Sequence, residues 1–431
     1  MKVVSQDDKG WQAAGRYLIG LLKCALYDQT PEEKPEDCTW EQIWTLAGRN
    51  SVRNAACPAI KKFDGKIPEE IWKDWSSAQD QTVYRNLRFE MEREEIMSAM
   101  AEKGIAALPL KGILIADYYP AAGMRWMCDN DILYGYVRED LEDGFKLKGG
   151  NVQEQKYWQK MAQQELGRIM KKLGYTAKCL NGNHDVYQKS PFFNFEMHRS
   201  LVPLHSEFAE YYRNPWKRAV LQKARKCLYR FSDEDEYLFF IVHAYKHFDA
   251  AGCGIRILLD EYVIFQKKEN MDWSYIRGEL EKMRLVSFEQ KLRSAACRTF
   301  STEKQPETGD WEIIEYLLGC GTYGTWENSL ENKLDKLQGN SDAETRKRYW
   351  QSRIWIDERT MKEYYPFFYR HRFLVLLLPL IRLIKGMLIH PGRLFAEWKI
   401  IGKYTSAGEG DFHRQWRRDK NKGMEENYGK D

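Results

Sequence analysis

The chain has 431 residues, and its 67 Lys and Arg against 63 Asp and Glu give a net charge of +4. This length allows two or three structural units with sizeable cores, and the near balance of charge gives no reason to expect a polyanionic partner. Nine cysteines are scattered without a CxxC pair, and no secretory signal precedes them. We therefore expect free thiols and a cytoplasmic location.

Residues 1–104 are predicted to form an N-terminal helical region. Apolar residues recur at helical spacing from Trp11 to Tyr27, and Thr39 is placed to cap a helix that continues through Leu46. A long charged amphipathic pattern follows from Ser76 to Lys103. Its predicted buried stripe is Tyr84, Leu87, Met91, Ile96 and Met97. We expect a packing helix that leads into the first strand.

The stretch from Ile105 to Val137 contains the first candidate site. An apolar strand turns at Lys111 and Gly112 into a helix, and Asp129 and Asp131 then open a second apolar run. Residues two apart on a strand point to the same side, and two carboxylates so close are costly unless a cation lies between them. Oxygen-only ligation of that kind suits Mg²⁺, which shares its remaining positions with substrate phosphates.

The turn at Lys111 and Gly112 has the composition of an anion site. Glycine lets the backbone approach a phosphate closely, and the amides at a helix start attract negative charge. Lys111 adds a positive charge at the same place. The competing interpretation of Lys111 is an ordinary surface lysine at a turn.

Residues 175–199 are predicted as three strands joined by Asn-Gly-Asn and Ser-Pro turns. In the last of them, the apolar Phe193, Phe195 and Met197 alternate with the polar Asn194, Glu196 and His198. This alternation indicates one face that packs on helices and one that lines a cleft.

The order of elements favours an α+β fold over a doubly wound parallel sheet. The predicted core, residues 105–230, consists of a small mixed sheet covered by helices. One of these helices runs from Tyr157 to Leu173 and ends at Gly174. Residues 138–155 are predicted as a loop or insertion. A helical region closing the site over 231–300 and a C-terminal helical region with a basic tail over 301–431 complete the predicted organisation.

The motifs of the candidate site resemble a known family when they are taken in order. Leu110-Lys111-Gly112, Tyr119-Pro120, Arg125 and the Asp-x-Asp at 129–131 resemble the active-site entry of the polymerase-β-like nucleotidyltransferase superfamily. They resemble more closely its bacterial branch of uncharacterised nucleotidyltransferases. The resemblance covers roughly residues 40–275. It implies that the two aspartates hold metal and that Arg125 clamps a phosphate. Without the resemblance, a salt bridge in the loop is the alternative for Arg125.

The same resemblance extends the site to later residues. Glu196 would be the third acid, with His198 beside it, because this branch tends to carry Glu-x-His there. Arg256 and Asp260 match a Gly-x-Arg-x-x-x-Asp pattern, which implies that the pair faces the cleft with Arg256 reaching the nucleotide phosphates. Physical chemistry alone favours an i,i+4 surface ion pair of about 0.3–0.5 kcal/mol.

His243 and His247 are four residues apart on a helix that Ser232 is placed to cap. They share one helix face, and this spacing can ligate zinc. Neither an HExxH glutamate nor a nearby Cys pair completes such a site. We therefore favour nucleotide contact or packing for both histidines.

The segment 364–390 is the most apolar part of the C-terminal region. Pro379, Arg382 and Lys385 interrupt it well short of the ~20 residues that span a bilayer, so no transmembrane segment is expected. We favour a core helix, or a homodimer or partner contact, over a membrane-surface helix. The basic residues from Lys399 onward are predicted to form a mobile tail.

Two classes of function follow from the resemblance. The first is a nucleotidyltransferase that uses Mg²⁺ or Mn²⁺ to move a nucleoside monophosphate from an NTP to a hydroxyl acceptor and releases pyrophosphate. The second is a non-catalytic nucleotide-binding or scaffold protein of the same fold. Two departures from the family pattern keep this second class open, namely Asn130 between the acids and the long gap from Gly112 to Asp129. The acceptor, a small molecule, a peptide or protein, or RNA, is not indicated, although the modest charge argues against a large RNA.

Overall fold

The structure, a computed structural model, describes residues 9–403 except 143, 181 and 390. Its α-helices within that range are Lys9–Leu26 (α1), Trp40–Arg49 (α2), Arg53–Lys61 (α3), Glu69–Glu102 (α4), Gly112–Ile115 (α5), Val152–Lys172 (α6), Asp233–Ala251 (α7), Arg256–Lys267 (α8), Trp273–Met283 (α9), Val286–Phe300 (α10), Thr308–Cys320 (α11), Trp326–Lys336 (α12), Asp342–Ile354 (α13), Glu358–Tyr364 (α14), Pro366–Arg370 (α15), Leu378–Ile389 (α16) and Pro391–Lys403 (α17). Its strands are Ala106–Leu110 (β1), Asn130–Gly135 (β2), Val137–Asp140 (β3), Gly144–Leu147 (β4), Thr176–Cys179 (β5), His184–Lys189 (β6), Phe193–His198 (β7), Ala219–Leu221 (β8) and Tyr229–Phe231 (β9).

A five-stranded mixed sheet forms the centre of the fold, in the order β1-β2-β7-β6-β5. β2 and β7 are parallel, with Asp131 opposite Glu196, and the other neighbours are antiparallel. Two small hairpins, β3-β4 and β8-β9, lie outside it. The predicted α+β fold with flanking helices is confirmed.

Alternation along the strands separates the two faces of the sheet. Phe195 and Met197 of β7 pack in a core with α4 and α6, together with Ile132 and Tyr134 of β2. The opposite side of β1 and β2 joins a larger core that includes residues of α1–α3 and α7–α11. Asp131 of β2 alternates away from the first core, as do Glu196 and His198 of β7, and all three face the cavity lined by α7 and α8. Asn130 lies on the other face, where Arg93 of α4 donates to its side-chain oxygen.

Helix ends follow the local sequence signals. Thr39 caps α2 through a reciprocal capping box with Gln42, and the Ser232 hydroxyl accepts a hydrogen bond from the amide of Asp235 at the start of α7. Gly174 follows α6 with a φ of +84°. These three predicted caps are confirmed.

The predicted buried stripe of α4 is wrong in its first half. Tyr84, Leu87 and Met91 are 59%, 55% and 67% exposed, whereas Phe89 and Glu92 are buried. Glu92 faces inward because it accepts hydrogen bonds from Tyr175 and Lys189. Ile96 and Met97 are buried as predicted.

The loop predicted for residues 138–155 is wrong, whereas the alternative of an insertion stays a prediction. β3 and β4 form an antiparallel hairpin in which Val137 pairs with Leu147, and α6 begins at Val152. The side chain of Asn151 caps this helix by accepting from the amides of Gln153 and Glu154. The hairpin is short and mostly polar, so its strands lack the apolar alternation that identifies a longer strand.

The expectation of a core helix within residues 364–390 is also wrong. Large apolar side chains of α16 are exposed, with Leu380 at 55% and Leu388 at 79%, and Leu378 is the only buried one among the side chains of this helix that the structure describes. No helix among the described residues has the length and apolarity to cross a membrane. The tail predicted from Lys399 begins as the end of α17, and its remainder lies outside the described residues.

All nine cysteines lie in the described part of the chain, and each is a free thiol there. We expect titration of the denatured, non-reduced protein with a thiol reagent to find about nine thiols per chain. The same protein titrated after reduction is the control. Recovery of several fewer thiols before reduction than after it would contradict the expectation.

Candidate active site

The turn between β1 and α5 has an unusual backbone at Lys111. Its φ of +55° lies in the left-handed region, which is strained for a residue with a side chain. A Cβ at Gly112 would lie 2.6 Å from Arg125 Nη1, so any other residue there would displace the Arg125 guanidinium. The turn thus directs Lys111 toward the sheet and lets Arg125 approach the backbone, where its Nη1 donates to the Gly112 carbonyl at 3.3 Å.

Asp131 is bound by two side chains of the site. It is 5% exposed, and its Oδ1 accepts from Lys111 Nζ at 2.8 Å and from His198 Nε2 at 2.7 Å. Burial opposes the charge of this carboxylate, but Lys111 and His198 outweigh burial and hold the pKa of Asp131 below its usual value. Burial also lowers the pKa of His198, so the imidazole is neutral and donates from Nε2.

Glu196 lies beside Asp131 on the neighbouring strand. Burial raises its pKa to about 7, and the charges of Asp131 and Asp129 add to that effect. Asp129 precedes β2 and is half-buried, and burial and Asp131 likewise raise its pKa. The pKa values of Asp129 and Glu196 are therefore raised above the usual values, although the charge of Lys111 acts in the opposite direction.

His184 is a site residue that the sequence analysis missed. It is the β6 partner of His198, and its Nε2 lies 3.7 Å from Glu196 Oε2. His184, Glu196 and His198 each offer a ligand atom within 4.8 Å of one another. Burial and His198 lower the pKa of His184 to about 4, which leaves a neutral ring. The sequence placed His184 at the start of a predicted strand and indicated nothing more. The register between β6 and β7 brings it to the site.

Arg125 and Asp260 form a buried ion pair. Arg125 Nε and Nη2 donate to the two carboxylate oxygens of Asp260 at 2.8 and 2.9 Å, and the Tyr119 hydroxyl donates to Asp260 Oδ1 at 2.8 Å. The structure thus gives Asp260 a different partner from the predicted Arg256. Arg256 lines the cavity and donates to the Trp126 carbonyl at 3.5 Å.

One cavity of about 360 Å³ brings the predicted residues together. It is lined by Lys111, Gly112, Arg125, Asp129, Asp131, His184, Glu196, His198, His243, Lys246, His247, Arg256 and Asp260, among others. The Nε2 atoms of His243 and His247 lie 3.1 Å apart, so one ring donates to the other. Burial lowers the pKa of both rings, that of His247 to about 4, and both are neutral.

The cavity offers donors for a divalent cation. Asp129, Asp131 and Glu196 line it, and burial together with the neighbouring acids raises the pKa of Asp129 and of Glu196. A cation that adds positive charge there favours the ionised form of both. His184 and His198 extend the set to nitrogen donors, which Mn²⁺ or Zn²⁺ accepts more readily than Mg²⁺.

A mixed sheet that holds acids and cations around one cavity is suited to phosphoryl-group chemistry. The family model described as uncharacterised nucleotidyltransferase matches residues 36–144 and 158–301. These ranges make up more than half of the chain, which therefore belongs to this family of nucleotidyltransferases. No match was found among curated proteins or among solved structures.

Proposed function

We propose that the protein is a metal-dependent nucleotidyltransferase that transfers a nucleoside monophosphate from an NTP to a hydroxyl acceptor and releases pyrophosphate. The observation that carries the proposal is the meeting of Asp129, Asp131 and Glu196 in one cavity with Lys111 and Arg256. Carboxylates for a divalent cation and cations for a triphosphate are the two requirements of this chemistry. The family match supports nucleotidyl transfer in general.

The metal ligands proposed are Asp129, Asp131 and Glu196. A divalent cation bound there supplies charge neutralisation for the triphosphate and the departing pyrophosphate. Lys111 holds Asp131 ionised through their 2.8 Å contact and adds its own charge beside the phosphates. Arg256, on the cavity wall, is proposed to contact the phosphates.

Arg125 and Asp260 are proposed as positioning residues of the nucleotide site. The bidentate pair fixes the guanidinium of Arg125, whose Nη1 in turn holds the Gly112 carbonyl at the phosphate-binding turn. Asp260 has both carboxylate oxygens engaged by Arg125, so its role is to orient that side chain. This arrangement keeps the turn in place before the substrate arrives.

Glu196 is proposed to accept the proton of the acceptor hydroxyl. The hydroxyl oxygen forms a bond to the α-phosphorus, the bond from that phosphorus to the bridging oxygen of pyrophosphate breaks, and the hydroxyl proton passes to the Glu196 carboxylate. A pKa of about 7 suits this role near neutral pH, where a good fraction of the group is ionised. The acceptor is a small molecule, a peptide or protein, or RNA.

A second candidate function is nucleotide binding without turnover. It rests on the engagement of Asp131 Oδ1 by both Lys111 and His198, which leaves fewer lone pairs on that carboxylate for a cation. Incubation with Mg²⁺ or Mn²⁺ and each of the four labelled NTPs, with self-labelling and pyrophosphate release as readouts, separates the two. Binding with no release for any NTP and a range of acceptors would favour this second candidate.

The test of the metal site is a thermal-shift experiment. Mn²⁺ or Mg²⁺ with NTP is expected to raise the Tm of the parent, because a ligand that binds only the folded state stabilises it. The Asp129→Asn/Asp131→Asn variant is expected to lose the metal-dependent part of that rise. Asp37→Asn/Asp64→Asn removes the same charge from exposed positions outside the cavity and is expected to respond like the parent. An unchanged metal response in the first variant would remove both acids from the metal site.

A further inference from the structure

One side of α16 is an outward apolar surface. We call it the α16 face, defined as Leu380, Ile381, Leu383, Ile384, Met387 and Leu388, whose exposed fractions run from 45% to 79%. At 100° per residue these six positions cover a continuous arc of roughly 160°. A soluble helix normally buries an arc of this kind.

The opposite side of the same helix is the one that packs on the protein. Leu378 is 2% exposed, and Arg382 is half-buried and donates to the Arg353 carbonyl at 2.8 Å. The contacts of Leu378 and Arg382 therefore set the orientation of α16, and the α16 face points to solvent. Contiguous exposed apolar surface marks an interaction site.

The exposed surface continues before and after α16. Phe373 and Leu376, in the short 3-10 helix that precedes it, are 76% and 73% exposed. Trp398 of α17 is 66% exposed. Large aromatic side chains beside an aliphatic helix face are typical of a helix that lies in a membrane interface.

The charge of this segment is mostly positive, although Arg372 is paired with Glu358. Residues 365–403 contain seven Lys and Arg and one acidic residue, Glu397. Glu397 is 4% exposed and is bound by Arg353 at 2.8 Å, so it does not offset the exposed cations. Lys385 and Lys399 are among those cations.

We propose that the α16 face docks on a membrane surface that contains anionic lipids, with the helix lying in the plane of the interface. Apolar side chains enter the acyl boundary, and the surrounding Lys and Arg meet the lipid phosphates. A second copy of the chain is a poorer occupant, because a two-fold contact through this face would oppose cations of the same sign. The proposed partner therefore combines an apolar interior with an anionic surface.

The segment that leads toward α16 contacts a loop beside the cavity. The ring of Tyr364, at the end of α14, lies 6.0 Å from the ring of His205. His205 belongs to the loop after β7, whose Ser206 and Phe208 line the cavity.

Cosedimentation of the full chain with vesicles tests the proposal. We expect binding to vesicles of phosphatidylcholine with phosphatidylglycerol, and weak binding to phosphatidylcholine alone. Leu380→Gln/Leu383→Gln/Leu388→Gln is expected to lower the partition coefficient by tenfold or more, because the inserted apolar area is lost. Lys385→Gln is expected to lower it by about fivefold at low salt.

The matched control replaces three apolar residues that are equally exposed on another helix. Tyr84→Gln/Leu87→Gln/Met91→Gln on α4 removes similar exposed apolar area and is expected to partition like the parent. Equal partition of the α16 and α4 variants, or equal binding to neutral and anionic vesicles, would overturn the proposal. So would a dimer detected by light scattering that the α16 variant dissociates, if the parent does not bind vesicles.

Discussion

Glu196→Gln is expected to lower turnover with NTP and acceptor by about a hundredfold or more, with NTP affinity largely unchanged. The side chain keeps its shape and loses the carboxylate that is proposed to take the acceptor proton. Glu196 lies directly opposite Asp131 across the β2-β7 pair. The variant keeps a side-chain oxygen at this position, and Asp129 and Asp131 remain for the cation while Lys111 and Arg256 remain for the triphosphate. Catalysis should therefore suffer far more than binding.

Pyrophosphate release over a range of pH, together with NTP binding by calorimetry, measures both effects. The parent rate should rise with pH and level off above the pKa of Glu196, because only the ionised carboxylate accepts a proton. The bound cation is expected to bring that pKa below its metal-free value of about 7. The variant should lose that rise. Glu36→Gln, at an exposed position outside the cavity, is the matched control. Equal pyrophosphate release by Glu196→Gln and the parent would remove Glu196 from the mechanism.

A stability measurement separates loss of the base from damage to the fold. The pKa of Glu196 is raised to about 7 by burial and by Asp131, against 4.5 for an unperturbed glutamate. Between these values the folded chain binds more protons than the unfolded chain, so the free energy of unfolding falls as the pH rises. Glu196→Gln removes this dependence. In metal-free buffer at pH 8 we expect the variant to resist urea at least as well as the parent, and a clear loss of stability there would show that the fold was damaged.

The sequence predicted the site where period-two alternation carried the information. Glu196 and His198 share a face of β7 with Asn194 and come to the cavity as the pattern required, and Asp131 follows the same rule on β2. His184 was missed because its position depends on which strand pairs with β7 and in which register. Register between strands is a tertiary property, and a single strand pattern does not contain it.

The prediction of the buried stripe of α4 was wrong in its first half for a different physical reason. Helical spacing identifies a face, but Tyr84, Leu87 and Met91 lie outside the face that contacts the sheet. The orientation of α4 is fixed by Phe89, which packs on three phenylalanines of the β7 region, and by Glu92, whose hydrogen-bond partners come from later residues. A glutamate on a buried face is not identified from hydropathy, because its partners decide whether burial is favourable.

The Arg125–Asp260 pair was not predicted from the sequence, because its partners are also far apart along the chain. An i,i+4 relation between Arg256 and Asp260 is visible in the sequence, whereas 135 residues separate Arg125 from Asp260. The bidentate geometry with Arg125 uses both carboxylate oxygens at distances of 2.8 and 2.9 Å. A pair on one helix surface offers no comparable burial.

Asp260→Asn is expected to have the largest effect on stability, a loss of about 3–5 kcal/mol in the free energy of unfolding. Arg125 and Asp260 are 9% and 5% exposed, so the variant leaves a buried guanidinium without its counter-ion. The Tyr119 hydroxyl also loses its charged acceptor. Urea unfolding followed by circular dichroism measures the change.

Two further variants show that the loss comes from the uncompensated charge. Arg125→Met/Asp260→Leu replaces both charges with apolar side chains, and we expect it to be more stable than Asp260→Asn, because no buried charge is left unpaired. Glu281→Gln breaks the Arg277–Glu281 pair, whose side chains are 69% and 61% exposed, and is expected to leave the free energy of unfolding nearly unchanged. If Asp260→Asn unfolded at the same urea concentration as Glu281→Gln, the pair would not hold the nucleotide-binding turn in place, and Arg125 would have to be oriented by its contact with the Gly112 carbonyl alone.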